Sequence, residues 1–197
     1  MSPSSSTHPR ALTPPSRAVA EGAESAGAEV RLRRVTETAP QEAIDGSPGW
    51  KAWLEGPAQE IEIATHDDLQ WADGVAMGTP TRYGNVSAQL KQFMDTTGPL
   101  WAQGLLAGKA YTGFTSAMNT HGGNESTLLA LYNTLHHWGG VIVAPGYTDP
   151  ALYAAGGNPY GTSHATGPNN EPPSDLVLTA ARHQGSRLAD IAGKLAG

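Results

Sequence analysis

Gly78-Thr79-Pro80-Thr81-Arg82-Tyr83-Gly84-Asn85 follows the apolar run Val75-Ala76-Met77 and precedes a helical pattern from Val86 to Thr97. Strand, tight polar turn, helix is how an open α/β sheet presents groups to a ligand beyond the carboxyl ends of its strands. Many such connections touch no ligand, so on this stretch alone an ordinary βα loop reads as well as a binding loop. A second passage of the same kind follows. Ala110 to Thr115 reads as a strand, with Tyr111 and Phe114 its bulky members, and runs into Ser116-Ala117-Met118-Asn119-Thr120-His121-Gly122-Gly123. The helix after it carries Leu128, Leu131, Leu135 and Trp138 on one face and ends with His136-His137-Trp138-Gly139-Gly140.

Around these two passages the periodicity continues. Val86, Leu90, Phe93 and Met94 form one apolar stripe on a helix that starts near Asn85 or Ser87 and ends at Gly98. Upstream, Thr65 and Asp68 have capping-box spacing, with Asp in place of the usual Glu, and predict a short helix through Trp71 that feeds a strand at Gly74 to Met77. Pro99-Leu100-Trp101 and Ala102 to Lys109 read as a loop with a short helical piece. Downstream, Val141 to Ala144 is a short, wholly apolar strand of the kind buried on both faces. Pro145 to Pro173 is a loop of roughly thirty residues, longer than a usual connection and therefore expected to be a lid or an oligomer contact. Ser174 caps a last helix whose Leu178, Ala181, Leu188, Ile191 and Leu195 supply a packing face.

Towards the N-terminus, Ser16 caps a short helix in which Val19, Ala23 and Ala26 recur up to Gly27. Ala28 to Val35 alternates apolar and charged residues, which predicts a strand near the sheet edge. Thr36 to Pro57 reads as a loop with a turn of helix around Gln41 to Ile44, pinned to the domain by Trp50 and Trp53. Met1 to Pro15, with four prolines and no apolar run, reads as a flexible tail, leaving 16–197 as one domain. Helices and strands alternate, so the fold class is α/β: a parallel sheet with helices on both faces.

The 197 residues carry 12 basic and 18 acidic side chains, a balance of −6 without a long basic run, which disfavours a nucleic-acid partner. There is no cysteine, hence neither disulfides nor thiolate chemistry. The apolar runs are far shorter than a membrane span, and the N-terminus lacks the apolar core of a signal peptide; the cytoplasm is the default.

In a doubly wound sheet the loops 78–85 and 116–123 lie side by side at one crevice. Together they suit a planar polar ring, with backbone amides as donors, Tyr83 or Trp101 as a stacking wall, Thr81 as a hydrogen-bonding group and Arg82 facing a negative group or an electron-rich ring. Each of these residues taken alone reads as well as a structural threonine or a surface arginine. His136 and His137 at a helix end suit the helix dipole, capped carbonyls or a ligand. The sequence has no metal-ligand spacing, G-x-S-x-G, Walker lysine or G-x-G-x-x-G after a strand.

With Gly78 to Asn85 stand Gln89, Phe93, Asp95-Thr96-Thr97-Gly98, Leu100-Trp101, Gly122-Gly123-Asn124-Glu125, His136-His137, Gly139, Pro145-Gly146-Tyr147 and Gly157-Asn158-Pro159-Tyr160-Gly161. In these motifs and their order, from about Ser16 to Gly197, the chain resembles the WrbA family of flavodoxin-like NAD(P)H:quinone oxidoreductases. The resemblance implies a five-stranded flavodoxin-like sheet of order 2-1-3-4-5, FMN at the strand carboxyl ends, NAD(P)H as electron donor, a quinone as substrate, and a homotetramer whose neighbouring subunits help close the sites. By position it implies that Thr81, Arg82 and Tyr83 hold the flavin ring and that Ser116, Ala117, Met118, Asn119, Thr120, His121 and Gly122 form a second flavin loop. His137 is expected beside the ring, and Trp101 in the pocket where nicotinamide and quinone alternate. No protein residue need act as acid or base.

In one respect the chain departs from that pattern. The family's first, apolar strand and its Ser/Thr/Gly phosphate loop have no counterpart before Ser16, so the domain is expected to be N-terminally truncated, with a weakened fold and poor FMN affinity. The alternative reading is a flavodoxin-like remnant without flavin, acting as a binding or structural subunit. A short flavodoxin-type electron carrier is disfavoured by the 145–173 loop.

Overall fold

The computed structural model describes residues 15–197. The expected tail and the missing first strand fall on 1–14, outside the described residues; Pro15 itself opens a helix. In chain order the elements are helices α1 (Pro15–Ser25), α2 (Gln41–Asp45), α3 (Pro48–Glu55) and α4 (His66–Trp71), strand β1 (Gly74–Pro80), helices α5 (Ala88–Asp95) and α6 (Gly98–Ala102), strand β2 (Ala110–Ala117), helix α7 (Asn124–His137), strand β3 (Val141–Ile142), helix α8 (Pro150–Ala154), strand β4 (Ser163–Ala165) and helix α9 (Asp175–Ala196).

All strand pairings are parallel, and β2 is the hub. β1 runs alongside it from Gly74↔Ala110 to Pro80↔Ser116. Because β1 fills that side along its length, β3 and β4 share the other, β3 at Ala110 and Tyr111 and β4 at Thr115 to Ala117. They are two halves of one interrupted edge strand, with α8 in the interruption. Gln184 of α9, fully buried, spans the gap: its Oε1 accepts from Thr162 N (2.8 Å) and its Nε2 donates to Thr112 Oγ1 and Gly113 O (both 2.7 Å). Gln184 thus satisfies the Gly113 carbonyl, which lacks a strand partner there, while Gly113 N donates to the Tyr132 hydroxyl of α7 at 3.2 Å.

Side chains of β2 alternate between two helical layers, as a pleated strand requires. Tyr111 packs with Leu90 and Met94 of α5 and Leu128, Leu131 and Leu135 of α7. Phe114 packs with Ala18 and Val19 of α1 and Ala181 of α9. The sheet is therefore open, parallel and covered on both faces, a doubly wound flavodoxin-like α/β fold. Layer α1/α9 is closed by small residues: a Cβ on Gly22 would meet the Arg182 carbonyl oxygen at 1.9 Å, and one on Gly185 the Val19 carbonyl oxygen at 1.9 Å. Nothing larger than glycine permits this approach.

Several expectations hold at the level of caps. Thr65 and Asp68 form the reciprocal capping box of α4, Ser87 caps α5 by accepting from Leu90 N, and Ser174 caps α9 by accepting from Val177 N. Others need correction. Ala28 to Val35 is not a strand: it makes a single parallel bridge, Arg34↔Ile63, among the described residues. A strand exists by its neighbour, and among the described residues no strand pairs with the outer edge of β1; instead Arg33 binds Asp68 and Glu62, and Arg34 Nε donates to the carbonyls of Ala58 and Ile61. The sheet thus shows four strands among the described residues, not the five implied.

The span 36–57 holds α2 and α3, helices too short for a periodic signal. Trp50 is tied by its indole to Glu37 (3.2 Å), whereas Trp53 is 38% exposed. The helical piece placed at 102–109 lies earlier, in α6, because Pro99 suits a first turn. The strand expected over 141–144 shortens to two residues, with Val141 exposed and Val143 buried. Finally, 145–173 carries α8 and β4 and so is not an unbroken loop.

Candidate functional site

Both expected loops stand at the carboxyl end of the sheet, after β1 and β2. After Pro80 the chain folds into a tight turn in which Arg82 N donates to Asn85 O (2.8 Å) and Asn85 N to Arg82 O (3.0 Å). Its two central residues, Tyr83 (φ 52°) and Gly84 (φ 76°), are both left-handed, the signature of a type I′ turn. Tyr83 pays for this in backbone strain and is held wholly exposed at the tip, its ring in contact with solvent on every side. Arg82, also exposed, folds back so that Nη1 donates to Thr81 O (2.9 Å).

Thr81 ties this turn to the second loop. Its amide donates to Ser116 O (2.8 Å), and its Oγ1 accepts from Gly84 N (3.3 Å) and meets Thr127 Oγ1 of α7 at 2.6 Å. Two residues earlier, Thr79 Oγ1 accepts from Ser87 N (3.0 Å), fixing the start of α5 against the same strand. Gly123 precedes α7 in a left-handed conformation (φ 94°), and a Cβ there would lie 2.9 Å from Gly84 Cα. Bare backbone against bare backbone is what lets the two loops touch.

In the second loop Ala117 is buried and its carbonyl accepts from Thr166 N (2.8 Å), while Met118 O accepts from Gly167 N (2.9 Å). Gly122 N closes a turn on Asn119 O (3.0 Å). The amides of Met118, Asn119, Thr120 and His121 donate to no backbone or side-chain acceptor among the described residues, nor does that of Tyr83. Met118, Asn119, Thr120 and His121 are exposed, so these donors point into water or a ligand. The two loops contain no carboxylate, and Arg82 is their one permanent cation. Free amides in one loop and an exposed aromatic ring at the tip of the other fit the carbonyl- and nitrogen-edged ring of a flavin.

Trp101 and His137 are brought together, but elsewhere. The Trp101 indole donates to His137 O at 2.9 Å, and the ring is 58% exposed. His137 ends α7, whereas Gly123 and Thr127, which touch the first loop, begin it. Ten residues of helix separate Thr127 from His137, about 15 Å along the axis. Within one chain the loops after β1 and β2 and the Trp101–His137 pair are separate groups.

Thr127 escaped the sequence reading, and Asn124 entered it only as part of a motif, without a role. Thr127 stands four residues before Leu131 on the buried face of α7, a spacing that marks it as inward-facing; Asn124 carries no such signal.

Comparison with known proteins agrees with this geometry. Residues 5–149 match the family described as NADPH-dependent FMN reductase. The chain is 45% identical to an NAD(P)H dehydrogenase (quinone) of Deinococcus radiodurans over 90% of its length and 88% of the relative's. It belongs to the WrbA-like, flavodoxin-fold NAD(P)H:quinone oxidoreductase family. A second relative, the NAD(P)H dehydrogenase (quinone) of Sinorhizobium fredii, is likewise 45% identical, over 91% of this chain and 89% of its own. Among solved structures, a flavodoxin, WrbA-like protein of Agrobacterium tumefaciens superposes with a TM-score of 0.58 at 25% identity, covering 90% of this chain and 87% of that one. No described helix is long and apolar enough to cross a membrane.

Proposed function

We propose that the chain is an FMN-dependent NAD(P)H:quinone oxidoreductase, and the observation that carries this is the row of unpaired amides, Met118 to His121, facing outward beside Tyr83. Thr81, Arg82 and Tyr83 hold one edge of the ring and Ser116 to Gly122 the other. FMN, when bound, supplies the two-electron redox chemistry by which NAD(P)H reduces a quinone. The protein's part is placement. Donors fixed by the Thr81–Thr127 and Gly84–Gly123 contacts need no reordering when the ring arrives, which lowers the entropic cost of binding. No described side chain need move a proton at the ring.

The exposed Trp101–His137 pair is best used by a neighbour. In a homotetramer, the pair from one copy covers the ring of another, excludes water and gives a flat wall for nicotinamide or quinone. Residues 16–197 act as one flavodoxin-like unit, and the cytoplasm, where reduced dinucleotide is made, is the expected compartment.

Titrating the purified chain with FMN while following flavin fluorescence, then assaying NADH oxidation with benzoquinone, tests this reading. Saturable quenching and quinone-dependent turnover are expected. Absence of both favours the flavin-free subunit.

A further inference from the structure

The chain has four methionines and no cysteine. Met1 lies outside the described residues. Met77 and Met94, 5% and 3% exposed, belong to the core around Tyr111, so their thioethers are enclosed by apolar side chains. Met118 has a different setting. It is 63% exposed and stands in the second loop, between the buried Ala117 and the exposed Asn119. Among the described residues, the sulfur that dissolved oxidants reach most readily is therefore at the candidate ring site.

The backbone beneath it is fixed. Ala117 O accepts from Thr166 N, Met118 O accepts from Gly167 N, and Gly122 N closes on Asn119 O. A Cβ on Gly122 would come within 2.7 Å of Ala117 Cβ, so the loop folds tightly over the end of β2. Held in this way, it turns the amides of Asn119, Thr120 and His121 outward with no acceptor among the described residues. A thioether is only a weak acceptor and leaves such donors to a ligand. Its sulfoxide is polar, and the new oxygen accepts hydrogen bonds. Carried on a flexible, unbranched side chain one to three residues from the donors, that oxygen reaches them as short polar side chains reach neighbouring amides in turns.

We infer that Met118 is an oxidation site whose sulfoxide switches off flavin binding, and that peroxide formed by leakage of electrons to oxygen is its oxidant. The inference rests on the reading of the two loops as a flavin site. When quinone is scarce, two electrons and two protons pass from the reduced flavin to O2, leaving oxidised flavin and hydrogen peroxide. The Met118 sulfur then attacks the peroxide: an S–O bond forms as the O–O bond breaks, the sulfur is oxidised by two electrons, and water leaves. The sulfoxide oxygen occupies amides that otherwise serve the ring carbonyls, and flavin is released. Leakage to oxygen thereby stops at its own source, while Met77 and Met94 stay sealed and the core is spared. Enzymatic reduction of the sulfoxide restores the thioether and the site.

To test this, the full chain without flavin is treated with hydrogen peroxide, each methionine is followed by peptide mass spectrometry, and FMN affinity is read from fluorescence quenching. Met118 is expected to gain an oxygen atom at least tenfold faster than Met77 or Met94. The Kd for FMN should rise at least tenfold in step with it and fall again after treatment with methionine sulfoxide reductase. Met118→Leu, compared with its own untreated form, is expected to hold its Kd through the same treatment. Oxidation of Met118 no faster than that of the buried pair, an oxidised chain with an unchanged Kd, or an equal loss of affinity in Met118→Leu overturns the inference and leaves the flavin site standing. An untreated chain with no affinity for FMN overturns both, before any peroxide is added. In the FMN-loaded chain given NADH and air, Met118 sulfoxide should accumulate and benzoquinone should suppress it; accumulation that benzoquinone does not slow overturns the leak as its source.

Discussion

The hydroxyls of Thr81 and Thr127 meet at 2.6 Å, joining the turn after β1 to the first full turn of α7. Thr127 is fully buried, so the contact is shielded from water. Thr127→Val keeps the shape and removes the partner. It is expected to cost about 1 kcal/mol of stability, and to weaken FMN binding by more than it lowers the urea midpoint would suggest, because the turn that presents Tyr83 loses its tie. Parallel urea and FMN titrations of the variant check this.

Gly123→Ala acts on the same junction through the backbone. The new methyl would sit 2.9 Å from Gly84 Cα at a residue whose φ of 94° disfavours any side chain. A loss on the order of 2 kcal/mol is expected, read as a drop in thermal midpoint, together with loss of flavin quenching. A variant that binds FMN as the parent does would show that the two loops need not touch.

Gln184→Leu is expected to be the most damaging of the single changes. It leaves Thr162 N and Gly113 O buried without their partners, at a cost of about 3 kcal/mol. Denaturant unfolding measures the loss, and hydrogen exchange at Thr162 should rise more than at residues of α7.

Alkali should unfold the protein through its buried phenols. Burial pushes the Tyr132 hydroxyl up to about 12, its donation to Tyr160 O being retained in the folded state, and burial raises Tyr111 as well. A group whose folded pKa lies above its unfolded value contributes stability that is whole below about pH 10 and is lost as pH climbs through about 12. Urea midpoints are expected to be level between neutrality and mild alkali and to fall across that window. Tyr132→Phe, which leaves Gly113 N without its acceptor, should lower the neutral midpoint and flatten the fall.

How much of this could be read from the residues alone follows from where each signal resides. Thr65, Ser87 and Ser174 act on amides three residues away, and their helices begin where the spacing places them. The two loops were legible because turn residues and their flanking strands are contiguous. Ala28 to Val35 has the alternation of a strand, yet alternation reports one wet side and says nothing of a neighbour to pair with. β4 was missed because three residues carry no period, and Gln184 because a buried amide in a helix looks like any surface glutamine until its partners are known. The pairing of Trp101 with His137 rather than with Tyr83 depends on the length of α7, which the pattern did contain.

The edge of the sheet formed by β3 and β4 carries a consequence for how such a chain can change over generations. Each half is seated on β2 by its own register, and the interval between them closes on itself, Gly146 N donating to Pro159 O and Tyr147 Oη to Gly157 O, while Gln184 of α9 holds its far end at Thr162. Length can be gained or lost in that interval without sliding either half. The segment between the two halves is thus free to diversify in size and chemistry while the loops at Thr81 and Gly123 stay as they are.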